Sequence, residues 1–225
     1  MKRVFIVALL LGVLISSCTN VKKENEEKSP EPEETGVVKI SDEDMKSKTF
    51  EELFKSIEPS AIPESVFKLV GTDFTVITAG PETSFNSMTA SYGGWGQLFD
   101  KPVTWCFLRA NRYTLELIKK EKTYTMTYFE DQYKDQVLFL GSKSGRDSDK
   151  MKELSLTHVT TPAGNVTYKE AKLIIECKLM EVTTVNPDDF YNPENKAFVT
   201  EGYEEAKDYH KLVFGEITQV WIKQQ

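Results

Sequence analysis

Residues 85 to 114 decide how this chain is read: Phe85-Asn86-Ser87-Met88-Thr89-Ala90-Ser91-Tyr92-Gly93-Gly94-Trp95-Gly96, then the apolar run Val103-Thr104-Trp105-Cys106-Phe107-Leu108, then Arg109-Ala110-Asn111-Arg112-Tyr113-Thr114. The apolar run predicts a buried strand, and the arginines stand where a helix is expected to open. Short hydroxyl and amide side chains can approach the edge of a flat heteroaromatic ring. Guanidinium groups at a helix start suit a phosphate, because bidentate donors, free backbone amides and the positive end of the helix dipole coincide there. Plainer readings stand beside these, namely a Gly-rich turn at Phe85 to Gly96 and solvated or salt-bridged arginines at the helix start.

Outward from this stretch the pattern is mostly strands. Asp73 to Ala79, Tyr124 to Phe129 and Gln136 to Leu140 read as strands; Lys172 to Thr184 is a long one with Leu173, Ile175, Cys177 and Leu179 on one face, and Leu212 to Ile222 alternates around Gly215. Helices are expected at Arg112 to Glu121, capped by Asn111 or Thr114, and at Asp147 to Leu154. A further helix is predicted from Thr49 to Ile57, where Thr49 and Glu52 form a capping box and Pro59 and Pro63 stop the run. Asn186 to Asp208 is longer than an ordinary connection and is either a lid or a lightly ordered excursion. Many strands with few helices predict a mainly β fold, a closed or partly closed antiparallel β-barrel with peripheral helices.

The N-terminus reads as an address. Lys2 and Arg3 precede the apolar Val4 to Leu14, too short to span a bilayer comfortably, and Ile15-Ser16-Ser17-Cys18 closes the segment. This is similar to a bacterial lipoprotein signal in which Cys18 is lipidated; the alternative is an ordinary secretory signal. The expected organisation is a signal peptide over 1–18, a flexible polar tether over 19–47 that is too poor in apolar residues to fold, and one domain over 48–225. That places the protein in the cell envelope, anchored to the membrane through lipid.

A formal charge of −7 and no basic blocks interleaved with aromatics argue against a nucleic-acid partner. Beyond Cys18 the cysteines are Cys106 and Cys177, each in an apolar run, either buried thiols or a single bridge. With no C-x-x-C and only His158 and His210, a zinc or dithiol site is not expected. Gly93-Gly94-Trp95-Gly96 has the wrong spacing for a dinucleotide fingerprint, and no P-loop or nucleophile elbow is present.

Asn86 to Ser91, Lys101-Pro102 before a strand, Arg109 to Thr114, Gly141-Ser142-Lys143-Ser144-Gly145-Arg146-Asp147-Ser148-Asp149-Lys150 and Tyr209 to Ile217 together resemble the flavin reductase-like proteins, flavoredoxin especially, over roughly residues 62 to 225. The resemblance implies an FMN-binding split β-barrel, a homodimer, and FMN as cofactor. It implies Asn86, Ser87, Met88, Thr89, Ala90 and Ser91 along the flavin ring, Arg109, Arg112 and Thr114 toward the phosphate, and Tyr113 among the cofactor-binding residues. It also implies a loop Ser142 to Arg146, with Ser144 and Arg146, that donates to the phosphate or covers the flavin; the plainer reading of that loop is a turn before a helix. His210 would contact flavin, nicotinamide or substrate, or be structural; Trp95 would stack on the ring, sit at a dimer interface or anchor the core. The implied activity is redox or electron transfer through bound flavin, served by a redox partner protein or a small-molecule donor. An NAD(P)H-dependent flavin reductase and a non-redox lipid-anchored binding protein are the alternatives.

Overall fold

The computed structural model describes residues 41–146, 150–203 and 208–224. The expectations for residues 1–40, lipidation of Cys18 among them, and for Asp147-Ser148-Asp149 lie outside the described residues.

The elements in chain order are α1 (Asp42–Ser47), α2 (Phe50–Leu53), β1 (Phe54–Ile57), α3 (Val66–Lys68), β2 (Thr75–Ala79), β3 (Asn86–Ala90), β4 (Gly93–Leu98), β5 (Lys101–Arg109), α4 (Tyr113–Glu121), β6 (Thr123–Phe129), α5 (Lys134–Ser142), β7 (His158–Thr160), β8 (Val166–Tyr168), β9 (Ala171–Thr184), α6 (Pro193–Glu201) and β10 (His210–Lys223). An eight-stranded antiparallel sheet runs β3-β2-β6-β9-β10-β5-β4, with β1 on β10; β7 and β8 form a separate hairpin. The fold is therefore mainly β with peripheral helices, as the strand spacing predicts.

One cluster fills the inside of the curved sheet. Met88, Leu108, Met126, Ile175 and Val213 come from five strands, and Leu115 and Ile118 come from α4, all packed together with at most 9% exposure. Tyr124 and Tyr128 are fully buried and spend their hydroxyls on Thr104 and Thr75. Burying a phenol without such a partner would cost about 1–3 kcal/mol. Cys106 and Cys177 are both buried free thiols, and burial pushes the Cys177 thiol up to about 12. Trp95 packs edge-on against Tyr128, which gives it the core-anchor role.

Several elements differ from the sequence reading, each for a physical reason. The capping box of Thr49 and Glu52 forms as expected, but the helix ends at Leu53 because Phe54 to Ile57 pair with Lys223 to Val220 of β10. A strand ladder with a distant partner outcompetes a local helical pattern. Structure also begins earlier than Thr49: α1 buries Met45 against Phe50 and Phe54. Gln136 to Leu140 is helical within α5, not a strand; Val137 and Leu140 turn inward while Leu138 is 48% exposed, a spacing that a four-residue apolar run hides. Of Asp147 to Leu154, the described part is a 3-10 turn at Lys150–Glu153. Helix α4 starts at Tyr113, and neither Asn111 nor Thr114 caps it. The Gly-rich stretch is strand β4, closed onto β5 by a two-residue turn in which Phe99 and Asp100 both have positive φ, 52° and 59°. Within Asn186 to Asp208 the described residues include α6, capped by Asn192.

Beside the barrel, Asp73 is 5% exposed and accepts hydrogen bonds from Lys68 at 2.7 Å and Lys172 at 2.9 Å; Glu64 shares both lysines. Burial pushes the Asp73 carboxyl upward, but the two ammonium donors outweigh it and hold it below the ordinary value. The resulting stabilisation is complete above the unfolded carboxyl pKa, about 4, and is lost as pH falls through the lower folded value. Asp73→Asn is expected to lower urea stability at neutral pH, with the gap to wild type closing below about pH 4. A gap independent of pH would contradict this assignment.

Candidate functional site

Arg112 ends a tight turn, its amide donating to the Arg109 carbonyl at 3.1 Å, and then serves as N-cap residue of α4 in an extended conformation. The Arg112 side chain does not cap the helix; the Leu115 amide donates to the Arg112 carbonyl at 3.0 Å, and among the described residues the Tyr113 and Thr114 amides and the positive dipole end face the cavity side uncapped. Across from this end lies the loop after α5, and between them is a cavity of about 270 Å³.

Asn86 ties three elements together at the cavity floor. It is 4% exposed, and its Nδ2 donates to Thr114 Oγ1 at 2.7 Å, linking β3 to α4. Its Oδ1 faces Gly145, where a Cβ would lie only 2.0 Å away, so the loop passes at a distance that only glycine permits. Because Thr114 Oγ1 accepts from Asn86, its own hydroxyl proton remains available to donate.

Four cations surround the cavity: Arg112, Lys143, Arg146 and Lys150. Arg146 donates to the Asn111 carbonyl at 2.7 Å, pairs with Glu116 and lies 5.3 Å from the centre of the Tyr113 ring. It fastens the loop across the start of α4. Lys143 pairs with Glu153. Lys150 is 2% exposed and donates to the carbonyls of Leu140 at 2.7 Å and Lys143 at 2.9 Å. Burial first, and the Arg112 charge second, lower its pKa to about 8. Among the described residues neither Arg112 nor Lys150 has a carboxylate partner.

Of the residues singled out in the sequence, Asn86, Met88, Arg112, Tyr113, Thr114, Ser144 and Arg146 line this cavity. Ser87, Thr89, Ala90, Ser91 and Arg109 do not. Strand alternation splits the Asn86 to Ser91 motif: Ser87 hydrogen-bonds Thr78 and Tyr168, and Thr89 donates to the Val137 carbonyl of α5. Ala90 is buried in the barrel core, and Ser91 lies in the link to β4. Arg109 points instead to the 186–208 segment, donating to the Gly202 carbonyl at 2.9 Å, facing Asp208 at 3.8 Å and lying 4.9 Å from the Tyr203 ring centre. His210 also stands apart from the cavity lining, hydrogen-bonded through Nδ1 to Tyr203 and edge-on to Tyr92. Burial and then Arg109 and Arg112 lower its pKa, favouring the neutral ring.

Sequence reasoning did not single out Lys150, Asn111, Leu140 and Gly141 as lining residues, whereas Lys143 and Gly145 fall in the Ser142 to Arg146 loop that it marked. The polar run Gly141 to Lys150 marked the loop, but nothing local distinguished a buried lysine from a solvated one. No group of three or more His, Cys, Asp or Glu among the described residues is placed to hold a metal, and no described helix is long and apolar enough to cross a membrane.

The family model for the flavin reductase like domain matches residues 67–225. The chain belongs to this family. The fold of this flavin reductase-like domain is similar to that of an FMN-binding protein from Thermus thermophilus, at 23% identity and TM-score 0.52 over 75% of this chain and 78% of that one. It is also similar to flavoredoxin of Desulfovibrio vulgaris, at 20% identity and TM-score 0.51 over 74% and 76%. An FMN-binding domain of a flavin reductases-like enzyme from Shewanella baltica gives 15% identity and TM-score 0.53 over 75% and 76%. The shared architecture is the split β-barrel. No curated protein matches the sequence.

The tight approach of loop to strand gives a direct test. In the flavin reductase-like domain, Gly145→Ala is expected to cost about 1–3 kcal/mol in urea unfolding through overpacking against Asn86. Wild-type stability in that variant would show that the loop is not seated on Asn86.

Proposed function

We propose that the cavity at the start of α4 holds the phosphate end of FMN and that the protein is a flavoprotein acting in redox or electron transfer. The observation that carries this reading is the convergence of Arg112, buried Lys150 and the uncapped helix start on one cavity, with no carboxylate partner for either cation among the described residues. Such a set fits a phosphate and suits a neutral ligand poorly. Family membership supports the flavin itself.

Bound flavin would supply the hydride or electron chemistry. The chain supplies binding and orientation. Arg112 and the α4 amides would neutralise the phosphate, the Thr114 hydroxyl would donate to it, and Asn86 would set the distance between helix and strand. Arg146, fastened to Glu116 and Asn111, would keep the loop closed over the site and exclude water. The cavity falls just below the usual range for small-molecule sites, about 300–1,000 Å³, which suits the phosphate end better than the whole cofactor. The ring would extend past it into a cleft completed by a second copy in a homodimer. As an envelope protein anchored through Cys18, the protein would meet little NAD(P)H, so a redox partner or another small-molecule donor is favoured over direct nicotinamide reduction.

Purified protein is expected to be yellow or to quench added FMN fluorescence; a colourless protein that fails to quench would overturn the flavin reading. Arg112→Ala should weaken FMN binding by about 1.5–3 kcal/mol, the value of a charge-assisted hydrogen bond, with unfolding little changed. Unchanged affinity on titration would remove Arg112 from the site. Anaerobic stopped-flow with NADH and NADPH separates the electron sources, because bleaching by either would establish the direct reductase instead.

A further inference from the structure

Not all the cations around the cavity are available to a ligand. Arg146 is committed to Glu116 and the Asn111 carbonyl, and Lys143 to Glu153. Lys150 differs in both burial and partners. It begins the 3-10 turn Lys150–Glu153, is 2% exposed, and directs its ammonium to the carbonyls of Leu140 and Lys143. An ammonium carries three protons, and these acceptors account for two. Both are neutral, so they orient the group without cancelling its charge.

We propose that Lys150 is a phosphate-binding residue, its third ammonium proton and its charge directed to the cavity, and that it makes the site selective for a phosphomonoester over the same ligand with an uncharged end. For a flavin this means FMN over riboflavin. The inference rests on the phosphate-site reading above and assigns a specificity role to a lysine that closes the Gly141 to Lys150 run but was not among the candidate site residues read from the sequence.

The electrostatics run in one direction. Among the described residues no carboxylate faces the buried Lys150 ammonium, and the neighbouring Arg112 charge adds repulsion. Its lowered pKa agrees with that strain. A phosphate entering the cavity relieves both at once, because it supplies the missing counter-charge to Lys150 and Arg112 together. An alcohol in its place would offer a dipole but leave the two charges facing each other. Discrimination therefore comes chiefly from the cost of leaving the cation unpaired, which is how buried polar sites reject ligands lacking the expected group.

The test measures FMN and riboflavin affinities of the full-length protein by fluorescence quenching, alongside thermal unfolding, for wild type, Lys150→Met and Lys150→Gln. Wild type should prefer FMN. Lys150→Met should weaken FMN binding by about ten- to a hundredfold and leave riboflavin binding unchanged, so that the preference collapses. Its unfolding temperature is measured alongside because methionine removes the donor to the Leu140 and Lys143 carbonyls together with the buried charge. Lys150→Gln retains amide donors for the two carbonyls and should show the same collapse, which keeps the test valid if the methionine variant does not fold. Equal weakening of both flavins would make Lys150 merely structural, and a retained FMN preference would remove it from the site; either result overturns the proposal. A wild-type protein that binds neither flavin would instead overturn the flavin reading on which it rests.

Discussion

The fold depends on β10 having partners along both edges. Its first half pairs with β5 from His210 to Glu216, its last four residues pair with β1, and its other edge is covered by β9 along almost the whole length. One strand of fourteen residues thus joins the N-terminal segment, the central hairpin and the C-terminal half into a single curved sheet. Register shifts between Phe214 and Gly215 and between Ile217 and Gln219 let the pair bend. Glycine is required at the first of these because a Cβ on Gly215 would lie 2.3 Å from the Tyr124 hydroxyl.

That arrangement fixes the site at one remove. Pairing with β10 sets β5, and the chain leaving β5 at Arg109 must turn at Asn111 to start α4 beside β3. Leu115 and Ile118 then bury one face of the helix in the barrel core, which aims its uncapped end at the loop after α5. The cavity therefore has a floor built by packing and a rim built by charge. Within the rim, ion pairing decides which cations remain for a ligand.

Much of the framework was legible because local patterns were strong. The apolar run after Lys101, the alternation in β9 and β10, and the capping box at Thr49 each carry their signal within a few residues. Where the sequence reading failed, a distant partner or an ambiguous period was responsible. Phe54 to Ile57 reads as helix until β10 offers a ladder, and Val137 to Leu140 is apolar at every position, so neither periodicity stands out. The β4–β5 hairpin was hidden because Phe99 and Asp100 take positive φ without the Asn-Gly signature that usually announces such a turn.

The sequence by itself determined a mainly β chain, with polar clusters at Asn86 and Arg112 held apart by a buried strand, and it marked the loop at Gly141 to Lys150 as a companion segment. Only the tertiary structure decided which of those side chains share a cavity. Pleat alternation turned Ser87 and Thr89 away from it; Gly202, Asp208 and Tyr203 drew off Arg109; Glu116 engaged Arg146; and the hydrogen bond to the Leu140 carbonyl placed Lys150 in the cavity lining. Conformational preference acts over a few neighbouring residues, whereas burial and charge compensation are settled by groups that meet only when the sheet has closed.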